Sequence, residues 1–263
     1  MSVVSARSRP GPSQHAPLLF VDIQGFSSRS DREQLRSREG LYGELRSAFT
    51  DELWRLSPHE DRGDGVFVVV PPELPVQELF TEVLPRLEHG LGARRRSDPL
   101  LRLRIAVHAG AVHRDGHGFA GNAVNHVFRL CDGEPLRRAI GEAASDTAVL
   151  VSEVIHDAVV RAGLPGVEPT TFHAVTFRVK ETHARAWLHV AGDNACAMRI
   201  AGEQAARQDE GREEGRDEPR RGGVSVSAGH DVRMDGAVVA GGDVHLGAPP
   251  VPRSRSRWWR GAR

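Results

Sequence analysis

An α+β sandwich, a mixed sheet with helices on one face, is the fold class this sequence predicts. Three observations carry it. Apolar strand-like runs end or begin at an acid-and-glycine turn in residues 18–27 and 62–70. Apolar residues recur at helical spacing between these runs and after them. Two further alternating segments, 172–179 and 184–190, close the pattern. Strands interleaved with helices in this order make a layered α+β domain.

Taken in order, residues 1–16, rich in Ser, Pro and Arg, read as a loose arm. Residues 17–23 read as a buried strand. From 31 to 56, Leu35, Leu41, Tyr42, Leu45, Ala48, Phe49, Leu53 and Leu56 mark one helix face, with Ser30 or Asp31 as its cap. Residues 59–71 read as a hairpin around Gly63-Asp64-Gly65. A second helix is expected over 74–90, a strand over 101–109, an extended turn over 110–119 and a third helix over 121–131. A short strand at 149–151 and a helix over 153–162 precede the two closing strands. The packed domain, 17–192, is expected to end near Gly192.

Residues 193–222 are dense in charge and poor in apolar groups. They read as a disordered, solvated linker, with a charged solvent-facing helix over 195–215 as the competing reading. Residues 223–247 hold a β repeat, because Ala228-Gly229-His230-Asp231-Val232-Arg233-Met234 echoes Ala240-Gly241-Gly242-Asp243-Val244-His245-Leu246. Two copies bury too little to fold alone, so this element is expected to meet an unknown protein partner. Residues 248–263 form a basic tail with Trp258 and Trp259.

Composition sets the class. The chain has 263 residues, enough for one substantial core with tails. Its 35 basic and 35 acidic residues cancel, which argues against wholesale nucleic-acid binding. Cys131 and Cys196 show neither a metal-ligand spacing nor a disulfide framework, so a cytoplasmic protein is expected. Residues 1–17 lack the apolar run of a signal peptide. The longest apolar stretch, 66–70, is too short for a transmembrane segment. Lys180 is the only lysine in an arginine-rich chain and marks a place where a compact ammonium is wanted.

If the first strand and the hairpin pair, Asp22 and Asp64 meet at one sheet edge. Two hard oxygen ligands there suit magnesium or manganese, and with it a nucleoside triphosphate. Further on come Leu103-Arg104-Ile105-Ala106-Val107-His108-Ala109-Gly110 and Gly121-Asn122-Ala123-Val124-Asn125-His126-Val127-Phe128-Arg129. With these four segments in order, residues 17–191 resemble the catalytic domain of class III nucleotidyl cyclases, the adenylyl and guanylyl cyclase family. The motifs are Asp-Ile-x-Gly-Phe, Gly-Asp, His-x-Gly and Val-Asn-x-x-x-Arg.

The resemblance implies a ferredoxin-like sheet and a cytoplasmic signalling enzyme. That enzyme would convert an NTP to a 3′,5′-cyclic nucleotide and pyrophosphate. Asp22, Asp64 and the Ile23 carbonyl would hold two Mg2+ or Mn2+ ions per site. Asn125 would orient the ribose, Arg129 would steady the α-phosphoryl charge, and Lys180 would meet the triphosphate. Glu60 and Gly118 occupy the two base-reading positions. Glu60 favours guanine slightly, while Gly118 offers no side chain. The family builds each site from two subunits, so a homodimer with shared sites is implied. Two rivals remain. A diguanylate cyclase is disfavoured because Gly65 stands where its turn needs a second acid. The other is a degenerate cyclase module that binds a nucleotide or partner in a regulatory or defence assembly. Ser27 and Ser28 have no partner base, and His108 reads as structural.

Overall fold

The computed structural model describes residues 13–217, 237–240 and 243–246. Residues up to Gly215 form one compact unit and those from Arg216 a second.

In the first unit, β1 (Gln14–Ile23) is flanked on one side by β3 (Gly65–Val69), which pairs in turn with β2 (His59–Asp61). On its other side lies β4 (Leu103–Asp115), followed by β6 (Thr147–Ser152), β8 (Thr182–His189) and β7 (His173–Val179). A short β5 (Gly118–Ala120) folds back on β4. Only the β4–β6 pairing is parallel, so the sheet is mixed as expected.

Strand alternation sorts side chains to two faces. Leu19, Val21 and Ile23 of β1 join Val66, Val68, Ile105, Val107, Val149 and Val151 in one cluster. This cluster is covered by α1 (Asp31–Leu56) and by a helix made of α2 (Val76–Glu78), a π-helical turn (Leu79–Val83) and α3 (Leu84–Arg94). Leu18, Phe20, Phe67, Ala106 and Leu150 build the second cluster. Over them pack α4 (Asn122–Cys131), α5 (Glu134–Glu142) and the start of α7 (Asn194–Asp217). Helices therefore cover the expected face and the other face as well. The first face also receives α6 (Glu153–Ile155), which runs into a second π-helical turn (His156–Val160).

Several boundaries differ from the sequence reading, each for a local reason. Residues 14–16, assigned to the loose arm, belong to β1, which pairs with β4 back to Gln14. The segment 110–119, expected as an extended turn, continues β4 to Asp115 and then forms the β4–β5 hairpin. Helix α5 went unrecognised behind its Pro135, which sits in the first turn, where a missing N–H costs nothing. The charged linker gives way to α7. Cys196, Ala197 and Ile200 are buried in the second cluster, so one apolar stripe anchors an otherwise polar helix. Ser30 begins α1 as expected, and the Glu33 carboxylate accepts from its backbone N–H at 2.9 Å.

In the second unit, β9 (Ala237–Ala240) pairs antiparallel with β10 (Asp243–Leu246). These strands fall in the second copy of the repeat and just before it. The first copy, most of the arm and the basic tail lie outside the described residues. No helix among the described residues is long and apolar enough to cross a membrane. Cys131 and Cys196 are both free and buried.

Glu88 on α3 yields a stability prediction. Burial pushes its carboxyl up to about 7, against a smaller downward pull from Thr147. A folded pKa above the unfolded one adds stability at low pH that is lost as pH rises through about 7. Glu88→Gln is therefore expected to stabilise by about 1–3 kcal/mol near pH ~8 and to be neutral near pH ~4. Urea unfolding at the two pH values measures this, and an equal effect at both would contradict it.

Candidate functional site

Both aspartates owe their position to the pairing of β1 with β3. In that register Asp22 stands opposite Gly65, and the Ile23 N–H donates to the Asp64 carbonyl at 2.9 Å. Gly65 makes the close approach possible, because a Cβ there would lie 2.6 Å from the Val21 carbonyl. Gly25, in the left-handed region at φ 66°, turns the chain away just after β1. Asp22, Ile23 and Asp64 thus share one end of the sheet.

Alternation places Asp22 on the second face with Leu18 and Phe20, and it is only 4% exposed. Arg104, its register partner on β4, donates from Nε to Asp22 Oδ2 at 2.8 Å and from Nη2 to the same oxygen. Burial raises the Asp22 carboxyl to about 6. Arg104 opposes that rise, while the nearby charges of Asp64 and Asp132 add to it. The end of α4 closes over the pair, with Cys131 Sγ 3.9 Å from the Arg104 carbonyl oxygen.

Two carboxylates with the Ile23 main-chain carbonyl are the hard-oxygen set that magnesium uses, since it takes few protein ligands and completes its shell with water and phosphate. Asp22 Oδ1 is left out of the arginine pair and is the oxygen free to serve. Among the described residues no group of three or more His, Cys, Asp or Glu side chains is placed to hold a metal. A metal held here would therefore need the backbone oxygen and further ligands from outside the chain.

Helix α4 lies close over β4 because Gly110 has no side chain; a Cβ there would sit 2.6 Å from that of Ala123. Phe128 packs edge-on to Phe20 with centroids 4.7 Å apart. Asn125 is exposed. One turn on, Arg129 donates to Thr182 Oγ1 at 2.9 Å and pairs with Glu181. Glu181 follows Lys180 in the β7–β8 turn, where exposed Lys180 adopts φ 52°. Arg129 and Lys180 are thus brought to one hairpin. Both are turned from the aspartates: Thr182, which holds Arg129, starts β8, three strand spacings from β1, and Lys180 follows β7, four spacings away, about 19 Å at ~4.8 Å each.

Glu60 and Gly118, the two positions that the resemblance assigns to base reading, meet. The Phe119 N–H donates to Glu60 Oε1 at 2.6 Å, and Arg62 pairs with the other carboxylate oxygen. Gly118 has φ 134°, and the Glu60 carboxylate fills the space a side chain there would need. The absence of a side chain at 118 is therefore part of how Glu60 is held. Glu60, Arg62, Arg114 and His117 line a polar cleft of about 490 Å³ between the β2–β3 and β4–β5 hairpins. The Arg62 guanidinium also lies 4.9 Å over the Phe128 ring. His108 donates to or accepts from Ser152 Oγ at 2.9 Å, and burial lowers its pKa to about 4, so it is a neutral internal residue.

Sequence reasoning missed Arg104 and Arg62 as partners. A signal existed for each. Arg104 interrupts an apolar alternating strand, where a buried guanidinium needs a carboxylate. Arg62 stands two residues after Glu60, on the same side of an extended segment.

No protein-family model matches the chain, and no curated protein matches it. Solved structures do. An adenylate/guanylate cyclase/hydrolase from Silicibacter pomeroyi aligns at TM-score 0.50 and 17% identity, over 69% of this chain and 99% of that one. The guanylyl cyclase Cya2 aligns at TM-score 0.49 and 15% identity, over 70% and 96%. By the first of these alignments, the first unit has a nucleotidyl cyclase-like α+β fold. At such identities the likeness concerns the fold alone.

The Asp22–Arg104 pair can be tested directly. Arg104→Gln would leave a buried carboxylate without its cation, at a cost of about 3–5 kcal/mol near pH ~8. The Asp22 pKa would climb above about 6, so the lost stability should return on acidification. Chemical denaturation of the variant across pH, with NMR titration of the carboxyl, reads both effects. A variant as stable as the parent near pH ~8 would show that the pair carries no net weight.

Proposed function

We propose that the chain is a nucleotidyl cyclase, closing an NTP to a 3′,5′-cyclic nucleotide with release of pyrophosphate. The observation that carries this reading is the Asp22–Asp64 juxtaposition, fixed by the Ile23–Asp64 backbone bond of 2.9 Å. Asp22, Asp64 and the Ile23 carbonyl would hold two Mg2+ or Mn2+ ions. When bound, these would acidify the ribose 3′-hydroxyl and neutralise the triphosphate. Asn125 would orient the ribose. Arg129 would stabilise charge on the α-phosphoryl oxygens, releasing Glu181 to do so, and Lys180 would bind the phosphate tail.

Because Arg129 and Lys180 lie far from the aspartates along the sheet, a complete site needs the metal half of one chain and the phosphate half of another. A head-to-tail homodimer supplies two such sites. The polar cleft supports a base preference. Glu60 would accept from a ring N–H, and Arg62, which here donates to Glu60, would donate to an adjacent carbonyl. Guanine presents both and is slightly favoured, and uracil presents the same edge. Adenine and cytosine turn a ring-nitrogen acceptor toward the carboxylate and are repelled.

Arg104 also favours a second reading, a cyclase-like module that binds a nucleotide or partner without turnover, because it already neutralises Asp22. We place either activity in the cytoplasm, in a signalling or defence assembly, with the C-terminal repeat contacting a protein partner. Since α7 buries Cys196, Ala197 and Ile200, a deletion testing recruitment has to begin after Asp217.

The deciding experiment offers the purified full chain manganese and each of the four NTPs, and follows cyclic product and pyrophosphate. GTP and UTP are expected to react and ATP and CTP to lag. Asp22→Ala and Asp64→Ala should each abolish turnover, and Arg129→Ala should cost about 10²–10³ in rate. Mixing the Asp22→Ala and Arg129→Ala chains should restore activity. Nucleotide binding without product from any NTP selects the second reading, and an active monomer rules out the shared site.

A further inference from the structure

On the sheet face opposite Asp22, a partly enclosed cavity of about 220 Å³ lies between α3, the start of β6, the end of β8 and the loop at 166–172. Its walls are apolar and aromatic. Phe80, from the π-helical turn, and Phe172 stand edge to face with centroids 6.2 Å apart, and Leu84 completes that side. Its polar groups are almost all acceptors. Glu88 and Glu168 are its two carboxylates, and no arginine or lysine lines it.

Glu88 forms no ion pair among the described residues. Its polar neighbour Thr147, 1% exposed, lies outside the cavity lining. His189 is kept neutral by burial. Its Nδ1 lies 3.2 Å from the Thr171 carbonyl oxygen, which can only accept. Nδ1 therefore carries the proton, and Nε2 is left as an acceptor. A half-buried carboxylate without a cation carries a desolvation cost that a cationic, donor-rich guest would remove. Aromatic faces beside it attract a positive charge.

We propose that this cavity binds a small organic ammonium ion, its charged head on Glu88 and its apolar body against Phe80 and Phe172. The volume is below the range usual for drug-sized ligands, which limits the guest to a short alkyl or single-ring amine. A free metal ion would leave the aromatic walls unused. The site lies outside the cyclisation machinery and stands whether or not the chain cyclises a nucleotide.

Isothermal titration of the full chain with benzylamine hydrochloride and, in parallel, benzyl alcohol tests the idea. Benzylammonium should bind saturably, and the alcohol at least about tenfold more weakly. Glu88→Gln, which keeps shape and removes charge, should weaken the amine by a similar factor. Phe172→Leu should weaken it while leaving the fold intact by circular dichroism. Absence of saturable amine binding, equal binding in Glu88→Gln, or equal affinity for the alcohol would overturn the proposal. The nucleotide panel is read separately, so failure here leaves the cyclase reading untouched.

Discussion

A carboxylate and a guanidinium facing each other inside a sheet constrain everything else in this molecule. Asp22 and Arg104 are register partners on adjacent central strands, with side chains only 5% and 16% exposed. Two charges cannot be taken out of water singly, so a slip of either strand would strand one of them at a cost of several kcal/mol. The pair therefore fixes the β1–β4 register. That register fixes where β1 ends, and the end of β1 fixes the meeting of Ile23 with Asp64. The same pair gives the site its ambiguity, because the cation that secures Asp22 also claims one of its two oxygens.

Much of this was legible in the chain, and the physical reasons differ by element. The strand at 17–23 and helix α1 announce themselves by period, since each buries one well-defined face. The aspartates were legible because an acid and a glycine at the end of an apolar run leave few other conformations. Helix α7 was legible only as the competing reading of a charged segment, and its anchoring was not: the buried stripe is three residues, Cys196, Ala197 and Ile200, and composition averages such a stripe away. The β4–β5 hairpin was hidden for the opposite reason. Its Gly116 and Gly118 read as loop residues, whereas Gly118 is there to make room for Glu60. Pairings across the sheet, Asp22 with Arg104 above all, depend on register, and register is a property of two strands that neither one encodes alone.

The layout of the candidate groups turns on strand order. Placing β4, β6 and β8 between β1 and β7 sets the acidic end and the Lys180 hairpin four strand spacings apart. Yet each half is internally finished. Arg129 is already braced by Thr182, and Glu60 already holds its hydrogen bond from Phe119. Such bracing lowers the ordering cost when a ligand arrives, which is where preorganised sites gain affinity. On the proposed cyclase reading a lone chain would carry two half-sites, and they would become one site only when a second copy laid its acidic end against the first copy's α4 face. On this reading association is the step that creates the catalyst, and whatever alters association through the segment beyond α7 would alter catalysis without touching a catalytic residue.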